Sequence, residues 1–195
     1  MKSLHLPVLI MALCINVSCR DTRHQSCRIG SVEYRIPKRF IIEGTPFWLP
    51  FGSDRYPIIT LNPDSALPDQ ITVLLEPVNE SCRGIRTFSS KDWSHLCKSP
   101  ESFKRLDNED IENMRKLSDK YNLTWRYFLN ADHGSHQQLV AACHRMENSP
   151  KNGLCTHRFR VGSVALRVGL DENQLPALPA IQRNLEAALK VWAID

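Results

Sequence analysis

Apolar and polar residues alternate most cleanly between Val32 and Ile36, where Val32, Tyr34 and Ile36 stand against Glu33 and Arg35. A period of two is that of a half-buried strand. Pro37 has no N–H for a ladder, so it ends this strand or sets it at an edge. Further on, IITLNPD and QITVLLEP read as two short strands, each closed by a proline-containing turn. The period then changes. Ile111, Met114, Leu117 and Tyr121 recur at helical spacing, Asn108 is a suitable N-cap, and Glu109 and Asp110 suit the positive end of the helix dipole. An amphipathic mid-chain helix is expected there. LTWRYFL and QQLVAACHRM return to strand character, although the second could begin as helix. In CTHRFRVGSVALRVGL, one face carries Cys155, His157 and Phe159, and the return strand carries Val164, Leu166, Val168 and Leu170. Val161-Gly162-Ser163 supplies a hairpin turn between them. The last helix has Pro179 in its first turn and a stripe of Leu178, Ile181, Leu185, Ala188, Leu189 and Trp192. Glu186 and Lys190 add an i to i+4 pair. The pattern predicts an α+β fold, an antiparallel sheet with the mid-chain and C-terminal helices packed on one face.

The first nineteen residues break this picture. One basic residue, an apolar run from Leu6 to Val17, and then Ser18 and Cys19 have the three parts of a signal peptide. The run falls short of the roughly 20 apolar residues that cross a bilayer. Small residues before Cys19 also resemble a lipoprotein signal, in which that cysteine becomes the acylated N-terminus, although Asn16 stands where leucine is usual. Residues 20–195 suit one domain with a sizeable core. The formal net charge of +4 includes Lys2 of the leader. No Lys/Arg-rich run stands out, so nucleic acid is a poor candidate partner.

Export changes how the cysteines are read. Of the seven, Cys14 leaves with the leader, and in an oxidising compartment the rest are disulfide candidates before they are metal ligands. Cys143 and Cys155 fall on neighbouring strands joined by ENSPKNG, within reach of a staple. Such a loop contributes on the order of 3 kcal/mol in the entropic account. Cys82 and Cys97 flank a polar excursion that a second bridge would tie down, with Cys27 to Cys82 as the alternative pairing. Acylation of Cys19 would leave Cys27 the orphan. Zinc needs four converging ligands, and the chain has no C-x2-C pair, while His144 points away from Cys143 on a strand. His133 and His136 lie in a Gly- and Ser-containing turn and are not taken as ligands. No G-x-S-x-G, S-x-x-K or H-E-x-x-H motif occurs, and although Asp132 and His133 adjoin Ser135, sequence neighbours seldom make a triad, whose parts usually come from separate elements. Neither an enzymatic activity nor a cofactor is expected.

GTPFWLPFGSDRYP gathers Phe47, Trp48, Phe51 and Tyr56 with Arg55, the residue types that dominate protein–protein hot spots. The same loop could fold back and plug the core, and both readings stay open. With its exported leader, the V-x-Y-x-I-P-x-x-F-I opening and aromatic loop, and the closing C-x-H-x-F strand, hairpin and tryptophan-bearing helix, the chain resembles small proteobacterial periplasmic proteins or lipoproteins encoded beside type VI secretion effectors, commonly immunity proteins. The likeness lies at the two ends, and no binding residue carries over from it. It implies a periplasmic protein, tethered to a membrane if Cys19 is lipidated, that binds and inhibits a secreted toxin such as a lipase or cell-wall hydrolase. An envelope ligand-binding or assembly lipoprotein is the alternative. A secreted eukaryotic domain is the third reading, in which Asn79-Glu80-Ser81 and Asn122-Leu123-Thr124 would be glycosylation acceptors.

Overall fold

The computed structural model describes residues 23–43, 56–64, 71–87, 91–98, 105–129, 138–146 and 149–194. The leader with Cys19, the aromatic residues Phe47, Trp48 and Phe51 with Arg55, and the pair His133 and His136 lie outside the described residues.

Two antiparallel sheets share one core. The smaller is an N-terminal hairpin, β1 (His24–Ile29) and β2 (Val32–Pro37), joined on its far side by the C-terminal strand β10 (Ala193–Ile194), so that the order is β1-β2-β10. The alternation around Tyr34 does place Tyr34 and Ile36 in the core, with Glu33 and Arg35 outward. The strand ends at Pro37, but as the central strand of its sheet rather than an edge. Gly30 opens the two-residue turn at a φ of 63°, a conformation glycine adopts without cost.

The larger sheet has the order β3-β4-β9-β8-β7-β6-β5, formed from Ile58–Thr60, Thr72–Pro77, Val164–Asp171, Ser149–Val161, Leu139–Met146, Thr124–Phe128 and Arg115–Ser118 respectively. The long β8–β9 hairpin has the expected register, with Phe159 opposite Leu166, His157 opposite Val168 and Cys155 opposite Leu170. Gly162 opens its turn at a φ of 56°. On this face packs α3 (Leu178–Trp192), which buries Leu178, Ile181, Leu185, Leu189 and Trp192 as its stripe dictates. One apolar cluster unites these residues with Ile29, Tyr34 and Ile36 of the small sheet and with Val73, Leu75, Leu166 and Val168 of the large one. Trp192 also meets Phe40 at 5.6 Å, ring to ring.

Helical structure covers the other face as well. α1 (Val78–Thr87) turns Ser81, Cys82 and Ile85 inward, and with the 3-10 segment Lys91–Cys97 it places Ile85, Trp93 and Leu96 against Leu139. This unit occupies part of what the sequence suggested was a polar excursion. Its two halves are held by the Cys82–Cys97 disulfide, Cα to Cα 5.6 Å, so the Cys27–Cys82 alternative does not form. Cys27 is free and half-buried, and burial, then the charge of Glu33, pushes its thiol up to about 11. Such a thiol is a weak nucleophile at neutral pH.

The helix expected from Asn108 to Tyr121 is the main correction. α2 spans only Asn108–Glu112, and its N-cap is Asp107, whose side chain accepts from the Asp110 N–H at 2.8 Å while the Asp110 carboxylate accepts from the Asp107 N–H. Asn113 ends it, and the chain becomes β5. The apparent helical period from Ile111 to Tyr121, about three turns, therefore belongs to a helical turn followed by a hairpin. Leu117 and Tyr121, expected on a buried helix face, are exposed.

Cys143 and Cys155 are directly opposite on β7 and β8, with Cα atoms 4.0 Å apart, and are disulfide-bonded. His144, on the opposite face, is exposed, as strand alternation requires. The two disulfides fit an oxidising compartment. Among the described residues no helix is long and apolar enough to cross a membrane.

Candidate protein interface

β5 is one of the two outer strands of the large sheet, and all four of its residues are exposed. It pairs with β6 as a hairpin whose two faces differ. On the inner face Ser118 opposes Trp125 and Lys116 opposes Tyr127; on the outer face Leu117 opposes Arg126. The inner face is anchored by Glu172, at the start of the 3-10 segment Glu172–Ala177. Its Oε1 accepts from Lys116 Nζ at 2.7 Å, from Trp125 Nε1 at 2.9 Å and from the Tyr127 hydroxyl. The Lys116 ammonium lies 4.7 Å from the Trp125 ring centroid and 5.5 Å from that of Tyr127, a cation over two aromatic faces. Burial raises the Glu172 carboxyl, but the hydrogen bonds from Lys116 and Tyr127, the charge of Lys116 and the Gly153 N–H outweigh it and hold the group below its usual range. Trp125 lies over Gly153 of β8 so closely that a Cβ there would stand 2.1 Å from the indole ring. Glycine at 153 is what lets the ring lie flat.

The tip, residues 119–123, is tied down by one carboxylate. Asp119 accepts from the N–H groups of Tyr121 (3.1 Å), Leu123 (2.9 Å) and Thr124 (3.1 Å) and from the Thr124 hydroxyl (2.9 Å). Although any burial would raise it, these bonds lower its pKa, the backbone bond from Leu123 foremost. Asn122 takes the left-handed conformation, φ 52°, which asparagine tolerates better than most residues. The Arg145 N–H donates to the Leu123 carbonyl at 2.9 Å and moors the tip to β7.

What this rigid tip displays is apolar. Tyr121 is 71% exposed, Leu123 54% and Leu117 39%, and they make up three of the five exposed large hydrophobic residues among those described. Around them stand Arg115, Lys120, Arg126, His144 and Arg145, all exposed. Lys120 leans over the Tyr121 ring at 5.6 Å. The nearby acids Asp107, Glu109, Asp110 and Glu112 precede β5 and so flank the base of the hairpin, while Asp119 is occupied by the turn. The outer face and tip thus combine apolar contact area with positive charge on a preorganised backbone, an arrangement suited to binding a complementary acidic surface.

Of the binding residues the sequence suggested, only Tyr56 is among the described residues. It is half-buried and packs on the small cluster of Ile58, Leu74 and Ile42. The hairpin tip was missed because Leu117 and Tyr121 fit a helical stripe. The signal that could have exposed it is DKYNLT, in which Asp119, Asn122 and Thr124 are turn formers. Of the glycosylation-type triplets, Asn79-Glu80-Ser81 lies in α1 with Ser81 buried, and Asn122-Leu123-Thr124 lies on the exposed tip. A surface cavity of about 350 Å3, lined by Arg105, Phe159, Arg160, Gly162, Gln182 and Glu186, opens at the turn end of the β8–β9 hairpin. Its charged groups are matched: Arg105 pairs with Glu186, and Arg160 donates to the Gly162, Leu96 and Lys98 carbonyls. No family model, curated protein or solved structure matches this chain.

Proposed function

We propose that this is an exported binding protein of the immunity kind, which waits in the periplasm and inhibits a secreted antibacterial toxin by occluding it, with no turnover of its own. The observation that carries the reading is the β5–β6 hairpin, whose exposed Tyr121 and Leu123 are held by the four hydrogen bonds of Asp119. A tip already rigid before binding loses little entropy in a complex, and tyrosine contributes large contact area at low entropic cost. The surrounding basic residues favour a partner with an acidic rim, as the catalytic cleft of a hydrolase acting on envelope material would offer. Cys19, if acylated, would hold the domain at the membrane where such a toxin works. A lipase and a cell-wall hydrolase remain equal candidates.

The test is protection. Cells in which a candidate toxin is directed to the periplasm should survive when they also export this protein, and purified toxin should elute with it as a stoichiometric complex. Lysis in its presence, with no complex, would refute the proposal. Mass spectrometry of the membrane fraction should find acylated Cys19; an unmodified chain starting elsewhere would remove the tether. A second reading, an envelope ligand-binding lipoprotein, is favoured by the cavity beside Arg105 and Arg160. It would be supported by a small molecule retained through purification and displaced by an Arg105 substitution.

A further inference from the structure

Among the described residues, the face of the large sheet beneath α1 and the 3-10 segment Lys91–Cys97 holds more positive charge than the side chains beside it neutralise. Arg158 of β8 and Arg167 of β9 are direct cross-strand partners, so their guanidinium groups leave the same face of adjacent strands. Like charges in this position repel unless something of opposite sign lies between or beside them. One carboxylate is supplied: Glu76 of β4, itself buried, meets Arg167 at 3.4 Å, with both side chains about one-tenth exposed. Arg158 has no such partner among the described residues. Its guanidinium carbon lies 5.8 Å from the centroid of the Trp93 ring, and its Nε is buried without a hydrogen bond, as is the Nε of Arg167. Burial, then the charge of Arg167, lowers the Arg158 pKa to about 10 against a partial compensation from Glu76, which still leaves it charged at neutral pH. Arg160, the next residue on this face, is already satisfied by backbone carbonyls and contributes no counter-charge. Both arginines are partly exposed, but a buried guanidinium N–H without an acceptor is costly, and covered charges are generally paired.

We propose that Arg158 and Arg167 together bind a small oxyanion of the phosphate, sulfate or carboxylate class, seated between β8, β9 and the Trp93 cover. Two guanidinium groups present parallel N–H donors to such a group and recognise it by shape as well as charge. The Trp93 face would lie beside Arg158 and keep water from it, and the Cys82–Cys97 disulfide would hold that cover in place.

Thermal unfolding of the full mature chain would be followed in sodium phosphate, sodium sulfate and sodium acetate, each against sodium chloride at the same ionic strength, with isothermal titration of the same anions. A ligand that binds only the folded state should raise the midpoint in a saturable way. The three salts separate tetrahedral anions from a carboxylate. Arg158→Gln should raise the dissociation constant about tenfold or more, the loss expected for one charge-assisted bidentate contact. Glu76→Gln should instead tighten binding by removing the competing carboxylate from Arg167, and it keeps the test alive if Arg158→Gln does not fold. An equal midpoint rise in the native protein and Arg158→Gln, which is the generic salting effect of sulfate and phosphate, would overturn the proposal. So would the absence of saturable binding for all three anions, or weaker binding in Glu76→Gln.

Discussion

His157 is fully inside the core, yet its ring has a partner at each nitrogen. Nδ1 donates to the Val140 carbonyl at 2.6 Å, and Nε2 accepts from the Gln182 side-chain amide at 3.0 Å, while the Gln182 oxygen accepts from the Leu106 N–H at 3.0 Å. The neutral ring therefore ties β7, β8, α3 and the chain before α2 together. Protonation would place a donor against the Gln182 amide in a fully buried site, and burial lowers the pKa from 6.5 to about 4, the hydrogen bond to Val140 opposing and the charge of His95 adding to the fall. Between these values the unfolded chain takes up a proton that the folded chain refuses. Stability is therefore complete above pH 6.5 and falls as the pH drops toward 4, with a slope from this group of at most about 1.4 kcal/mol per pH unit. Urea midpoints at pH 7.5, 5.5 and 4.5 should show this decline, and His157→Gln should flatten it at some cost in stability; an unchanged slope would mean that other groups govern it. Gly153 offers a second single-residue test. A methyl group there drives into Trp125, so Gly153→Ala should destabilise the protein by about 1 to 3 kcal/mol, as overpacked sites do, and should shift tryptophan fluorescence. Period and cysteine spacing made Cys143, Cys155 and the face of His157 legible from the sequence, because on a strand both are fixed by alternation. The role of Gly153 was not legible, since the ring that needs it lies on a strand distant in sequence.

Elements were legible wherever one periodic signal ran uninterrupted. β2, β4, the β8–β9 hairpin and α3 have unbroken patterns and form as expected. Residues 108–124 carry two signals at once, a helix N-terminus and a turn at DKYNLT, and tertiary pairing of Arg115–Ser118 with β6 decides in favour of a strand. α1 was hidden by its brevity and by Gly84, which weakens a helical reading. The disulfides differ in setting: Cys143 and Cys155 are both buried, whereas Cys97 is exposed. Mild reductant should accordingly open Cys82–Cys97 first. Alkylation and peptide mapping along a reductant series would show it, with a stability loss of about 3 kcal/mol for a loop of this length; simultaneous reduction of both bridges would show that the cover does not open independently of the core. Glu172→Gln tests the hairpin anchor. With its charge gone, three donors share a weaker acceptor, and the cost should be about 1 to 3 kcal/mol, read by urea unfolding, with hydrogen exchange rising across β5 and β6.

For the molecule as a whole, two antiparallel sheets with helical cover on both faces of the larger one carry the β5–β6 hairpin at its edge, with the apolar tip beside exposed arginine, lysine and histidine. The body is stapled and anchored where the hairpin meets it, and this makes the tip a fixed shape rather than a loop that must be ordered on binding. If the protein inhibits a toxin through this tip, Tyr121 is the anchor to remove, because at 71% exposure it supports little of the fold. The direct measurement is the affinity of the Tyr121→Ala variant for the captured partner, by calorimetric titration, beside its urea midpoint. The dissociation constant should rise about 30-fold or more, the loss of a hot-spot side chain, while stability stays within about 0.5 kcal/mol of the native protein. Unchanged affinity with unchanged stability would contradict the account and place the binding surface elsewhere on the molecule.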